Sequence, residues 1–150
     1  IIALANLWQL ESGQAADGVR GVDATDSVDA ARRAAVSLAR WTGGAVAVSG
    51  EHDLITDGQC TAFSYGGSHF MEKITGAGCS LGGVAAVYAT AASPFIAALT
   101  ASAIYNLAGK RAEAHCSGPG SFQVEFLDAL YQASAADVAG NPLKIEEEKV

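Results

Sequence analysis

From Ile74 to Gly109 the chain carries not one charged residue, and that run decides most of what it can fold into. An uncharged stretch of this length either crosses a membrane or lies inside a protein. The residue types argue for the interior. The run is rich in Ala, Gly, Ser and Thr, and Pro94 interrupts it directly after Ala91-Ala92-Ser93. Serine caps a helix and proline is pre-set for its first turn, so Ser93-Pro94 reads as a second helix start. The expectation is a buried helix pair, near Cys79–Ala92 and Pro94–Cys116, with no membrane span.

Upstream, the pattern alternates between helix and strand. Ile1–Leu10 reads as a helix, and Glu11–Gly21 as a glycine-bearing loop leading through Val22–Asp26. Asp26-Ser27 is positioned to cap a helix over about Val28–Trp41, whose Val28, Ala31, Ala35, Leu38 and Ala39 share one face. Thr42-Gly43-Gly44 ends it, and Ala45–Ser49 follows as a short apolar run of the kind found in buried parallel strands. His52–Thr56 and Gln59–Tyr65 read as two more strands joined at Asp57-Gly58, and Phe70–Ile74 as a weaker one. A last helix is expected near Phe122–Ala133, with Lys144–Val150 as a frayed tail or solvated turn of helix.

Bulk properties narrow the function. At 150 residues, half of them hydrophobic and 17 of them glycine, the chain suits one domain of close-packed helix and sheet layers. A net charge of −7 disfavours nucleic acid or an anionic membrane as the main partner. An anionic substrate would have to be held by backbone dipoles rather than by basic surface. The three cysteines, Cys60, Cys79 and Cys116, show no CxxC spacing and point to a reducing cytoplasm. The chain opens at Ile1 rather than Met, inside what reads as a helix, so this N-terminus is expected not to be the protein's own.

The chemistry concentrates in Ile74-Thr-Gly-Ala-Gly-Cys-Ser-Leu-Gly-Gly83. Gly78-Cys79-Ser80-Leu81-Gly82 fits the GxSxG elbow that exposes a serine nucleophile, but such enzymes need an acid and then a histidine downstream. Between Ser80 and His115 the only acid is Glu113, too close to His115 in the chain to complete a relay from a separate loop. A dinucleotide fingerprint lacks its third glycine, and Gly109-Lys110-Arg111 is not a Walker A motif. What remains is a Gly-x-Gly turn at a helix start, which aims unpaired N–H groups at one point with the helix dipole behind them. That is an oxyanion or phosphate hole, and the same position stabilises a thiolate. A cysteine there can take a proton from a substrate hydroxyl while the amides steady a transferring phosphoryl group. It can equally be a packing cysteine in the first helical turn.

Thr75-Gly76-Ala77-Gly78-Cys79 resembles the anion-hole motif of hydroxyethylthiazole kinases, in the ribokinase-like superfamily, where most members carry Asp in place of Cys79. Other segments fit in order: Gly21-Val22-Asp23, Val48-Ser49-Gly50-Glu51, Asp53, Thr56-Asp57-Gly58, Gly118-Pro119-Gly120-Ser121-Phe122, and Phe126-Leu127-Asp128-Ala129-Leu130. The resemblance covers most of Ile2–Tyr131. It implies a three-layer α/β/α sandwich with a mostly parallel central sheet, of which residues 1–150 form the C-terminal part of a single domain. It also implies ATP- and Mg2+-dependent phosphorylation of 4-methyl-5-(2-hydroxyethyl)thiazole, in thiamine salvage, by a cytoplasmic homotrimer with its site at the subunit interface. By position, Cys79 is the candidate base, Gly76, Ala77, Gly78 and Cys79 form the anion hole, Gly76 also contacts the thiazole, and Ser49 contacts ATP. A strand's carboxyl end is where ligands gather in open α/β sheets, in keeping with Ser49.

One departure stands out. Family members run much longer at the N-terminus, where an Arg-Gly-Asn-x-x-Glu motif serves ATP and Mg2+, so the isolated 150 residues are expected to be inactive. The alternatives are a non-catalytic binding or assembly fragment of such a kinase, or another ribokinase-like small-molecule kinase. His52, His69 and His115 share no metal-ligand spacing, and no metal ligand is expected among the residues present. Asp23 and Asp53 suit turns and caps, and Trp8 and Trp41 packing.

Overall fold

The structure, a computed structural model, describes residues 1–12 and 27–149. The Gly21-Val22-Asp23 segment and Asp26 lie outside the described residues. The chain divides into two compact units: Ile1–Phe63 with Lys144–Val150, and Ser64–Leu143.

In the first unit, α1 (Ile2–Leu7) and α2 (Val28–Thr42) precede a four-stranded sheet of order β1-β2-β3-β4: Val46–Val48, Asp53–Thr56, Cys60–Ser64 and Leu143–Glu147. Helix α2 forms where its stripe demands. The Ser27 hydroxyl accepts from the Ala30 N–H at 3.2 Å, and Gly43 ends the helix at φ 68°, a left-handed turn that favours glycine. All five expected face residues are buried, Val28 and Ala35 against Leu54 and Phe63, and Ala31 and Leu38 against Ile2 and Ala5. Trp8 and Trp41 stack at 4.3 Å between ring centroids, the packing role expected of them.

The expected parallel strand at Ala45–Ser49 is corrected in direction and in burial. β1 pairs with β2 antiparallel, Val46 opposite Thr56 and Val48 opposite Leu54. Among the described residues it is one of the two edge strands, with Ala47 exposed and Val46 and Val48 half-buried on the α2 side. Its apolar run therefore reflects one covered face and a small outward residue. β2 and β3 form the expected hairpin, where the Asp57 carboxylate accepts from the N–H groups of Gln59 and Cys60, each at 2.8 Å. Three connecting residues leave no room for a parallel crossover. β3 and β4 also run antiparallel, since Glu148 N–H bonds the Gln59 carbonyl while Tyr65 N–H bonds that of Pro142.

β4 replaces the expected frayed tail. The Arg32 guanidinium on α2 lies 2.8 Å from both Glu146 and Glu148, and 5.4 Å from the centroid of the Phe63 ring. Charge pairing over an aromatic face holds the segment extended where local composition favours no structure.

The second unit is helical: η1, a 3-10 turn at His69–Lys73, then α3 (Ala77–Ala89), α4 (Pro94–Glu113), α5 (Pro119–Gln132) and α6 (Ala135–Ala139). The 3-10 turn corrects the expected strand at Phe70–Ile74. The Ser68 hydroxyl accepts from the Phe70 N–H at 3.1 Å, a local bond that competes with extended backbone. The core joins Ile104, Tyr105 and Ala108 of α4 to Phe122 and Phe126 of α5. Short α6 is set by a capping box between Ser134 and Asp137, and Arg111 on α4 reaches Asp137 at 2.7 Å. Half of the expected buried helix pair is found. Nine residues of α4 are buried and none of α3. Among the described residues no helix is long and apolar enough to cross a membrane.

Candidate active site

The Gly-x-Gly turn opens a helix as its glycines require. Ile74 leaves η1 in extended conformation, and Gly76 reverses the chain at φ 88°, ψ 3°, as the N-cap of α3. A side chain at that φ would press its Cβ on the backbone, so glycine is the residue that turns here without strain. The first α-helical bond runs from Ser80 N–H to the Gly76 carbonyl at 2.9 Å. The N–H groups of Ala77, Gly78 and Cys79 therefore precede the ladder, on the positive end of a 13-residue helix dipole. A methyl group built on Gly76 or Gly78 would meet no atom within 4 Å, and Cys79 is exposed, so the turn is open to an incoming group.

The alternative nucleophile is occupied. The Ser80 hydroxyl donates to the carbonyls of Gly76, at 2.8 Å, and Ala77, at 3.1 Å, and so lies back along its own helix. Glu113 pairs with His69 at 2.8 Å rather than with His115. The components of a serine relay are thus bound elsewhere.

Gly76, Ala77, Gly78 and Cys79 are brought together in one turn of the second unit. Ser49 belongs to the first unit, where it is exposed one residue beyond β1. Asp53 has a turn role, its carboxylate accepting from the Gly50 N–H at 3.4 Å. His52 lies 3.5 Å from Asp29. Among the described residues no group of three or more His, Cys, Asp and Glu side chains is arranged to hold a metal ion.

The first unit also has an open cavity of about 440 Å³ lined mainly by α2, including Arg32, Arg33 and Arg40, and by Glu148 and Lys149. Two of its cations are engaged by the fold: Arg32 with the β4 carboxylates, and Arg40 through Nε with the Gly58 carbonyl at 2.8 Å. None of the site residues expected from the sequence lines it. The Arg32 and Arg111 pairings were absent from the sequence expectations, because ion pairs between distant segments leave no local pattern. Both hold elements in place rather than carry chemistry.

Residues 5–136 match the model of the Hydroxyethylthiazole kinase family. The chain is 48% identical to a hydroxyethylthiazole kinase of Bifidobacterium animalis subsp. lactis (strain AD011) over 152 residues, 95% of this chain and 50% of that protein. It is 50% identical to one of Bifidobacterium adolescentis (strain ATCC 15703 / DSM 20083 / NCTC 11814 / E194a) over 153 residues, 95% of this chain and 52% of the relative. A solved structure of a hydroxyethylthiazole kinase protein from Pyrococcus horikoshii OT3 superposes with a TM-score of 0.72 at 26% identity, covering 81% of this chain and 47% of that one. The chain spans about half the length of the curated relatives it matches.

Proposed function

The chain belongs to the hydroxyethylthiazole kinase family, and from that premise we propose that it contributes the phosphoryl-transfer turn of an enzyme that phosphorylates 4-methyl-5-(2-hydroxyethyl)thiazole with ATP in thiamine salvage. The observation that carries this reading is the opening of α3, where a positive-φ glycine is followed by three amides and a thiol in one exposed turn.

The chemistry follows from those groups. The Cys79 thiolate accepts the proton of the thiazole alcohol as its oxygen bonds to the γ-phosphorus of ATP. The bond from that phosphorus to the bridging oxygen breaks, and ADP leaves. The amides of Ala77, Gly78 and Cys79 donate to the phosphoryl oxygens during the transfer, where preorganised donors act most strongly. Gly76, without a side chain, lets the thiazole approach the backbone, and Ser49 donates its hydroxyl to ATP. Mg2+ would neutralise phosphate charge when bound, but the described residues do not form a site for it, so none is assigned to the metal. The complete protein, in this reading, is a cytoplasmic homotrimer of ribokinase-like α/β/α subunits with a mostly parallel central sheet, residues 1–150 being the C-terminal part of one such domain. The antiparallel strands seen here would flank that parallel sheet.

Coverage of about half of each relative favours a second reading of the isolated chain, as a part that binds or assembles without turnover. One experiment separates the two. A chimera in which this chain replaces the matching half of the Bifidobacterium animalis relative is assayed for ADP release that depends on the thiazole alcohol, beside the isolated chain. Turnover in the chimera alone supports the kinase reading together with the need for a complement. A folded chimera that releases no ADP with the thiazole alcohol overturns the kinase reading.

A further inference from the structure

The turn that begins at Gly76 is held from its ends rather than from its sides. Among the described residues, a methyl group built on Gly76 or Gly78 would meet no atom within 4 Å. Beyond the turn, Leu81, Val84 and Tyr88 of α3 pack on the α4–α5 core. Ahead of it, the chain arrives through Ser64–Ile74, and α4 receives that segment at Asn106 and Gly109.

Asn106 grips the segment at two points. Its main-chain carbonyl accepts from the Gly67 N–H at 3.0 Å, and its Nδ2 donates to the buried Ser64 hydroxyl at 3.0 Å. Gly66 and Gly67 stand at φ 122° and 83°, positive angles that let the chain bend onto the helix without strain. Gly109 is buried, and a methyl group there would lie 3.1 Å from the Gly67 Cα and 3.3 Å from the Ser68 nitrogen. Glycine weakens a helix interior, and here the close passage of a second backbone accounts for it. From this seat Ser68 caps the 3-10 turn, and the Phe70 ring lies 5.5 Å from that of Phe122 between centroids. Met71 and Ile74 reach the same core, and Gly76 follows. All of these residues belong to the second unit.

We propose that Asn106 and Gly109 are positioning residues for the phosphoryl-transfer turn: they seat Gly66–Ser68 on α4, and through the chain from there to Gly76 they fix where the Cys79 thiol stands. They act on the turn and not on the substrate. The proposal rests on the kinase reading of that turn, so its test includes a measurement without turnover. Misplacing a catalytic group by about 1 Å can cost about 10²-fold in rate. A methyl group at Gly109 forces Gly67 and Ser68 to give by a few tenths of an ångström, which sets the expected loss nearer tenfold.

Gly109→Ala is the test variant, because at an ordinary helix position it would be harmless or stabilising. In the chimera with the Bifidobacterium animalis relative, kcat is expected to fall about tenfold or more. In a Cys79→Ser background the same change should lower kcat by less than about threefold, since residues acting through one group are not additive. In the 150-residue chain, amide hydrogen exchange is expected to quicken about tenfold at Gly67, at Met71 and in the first turn of α3, with α5 unchanged. Circular dichroism checks the fold, and Asn106→Ala carries the same measurements if Gly109→Ala does not fold. A folded variant with kcat within about threefold of wild type, an equal fall in both backgrounds, or exchange quickened equally in α5 or at Gly67 alone overturns the proposal. If the wild-type chimera does not turn over, or Cys79→Ser turns over normally, the kinase or base reading fails, and the exchange pattern alone decides whether the seat holds the turn.

Discussion

Ser80 bonds the carbonyl of Gly76 twice, through its N–H at 2.9 Å and through its hydroxyl at 2.8 Å. The residue that the GxSxG pattern offers as a nucleophile is thereby a fixture of the helix start. Ser80→Ala removes the hydroxyl's two exposed bonds, to the carbonyls of Gly76 and Ala77, and improves helix propensity, so kcat of the chimera is expected to change by less than about tenfold. A serine nucleophile would lose on the order of 10³-fold or more. Steady-state kinetics of the two proteins distinguish these outcomes.

The two ends of the motif respond oppositely to the same substitution. Gly76 sits at φ 88°, so Gly76→Ala should destabilise the isolated chain by about 1–2 kcal/mol despite the open space around it. Gly82 lies inside α3 with equal space, and Gly82→Ala should stabilise by about 0.5–1 kcal/mol. Urea unfolding followed by circular dichroism reads both. Equal effects at the two positions would contradict a left-handed Gly76.

The capping box of α6 has a pH signature. The Ser134 hydroxyl and N–H, and then Arg111, hold the Asp137 carboxyl at about 2, below its ordinary value. A carboxyl lowered by folding stabilises the native state above its unfolded value of about 3.9, and this contribution is lost as pH falls from there toward about 2. Asp137→Asn should therefore lower the urea midpoint at pH 7, and the gap from wild type should close by about pH 2. A gap that persists unchanged in acid would show that Asp137 acts by packing.

Legibility in the sequence followed the range of the forces involved. α2 was readable to within one residue of its end, because Ser27, Gly43 and the apolar stripe are local signals. The Gly76 turn was readable for the same reason, down to the first-turn position of Cys79. The direction of β1 was not, since Val46-Ala47-Val48 looks alike in either pairing and its partner is chosen by the hairpin that follows. The tail strand was hidden because its charges suit solvent until Arg32 gathers Glu146 and Glu148. The exposure of α3 was hidden too. Its composition reads as interior, yet none of its residues is fully buried, and Leu81, Val84 and Tyr88 lie half-buried against the α4–α5 core.

The central claim is that the Gly76–Cys79 turn carries out phosphoryl transfer with the Cys79 thiol as base. The direct measurement is steady-state kinetics of the chimera and its Cys79→Ser and Cys79→Asp variants, with the thiazole alcohol and Mg-ATP. General-base assistance is worth about 10²–10⁴-fold, so Cys79→Ser should lower kcat by that range with KM little changed. Cys79→Asp should retain activity, because a carboxylate accepts the same proton from the same helix start. A near-normal kcat in Cys79→Ser would contradict the account and leave the backbone amides as the only catalytic contribution of this turn.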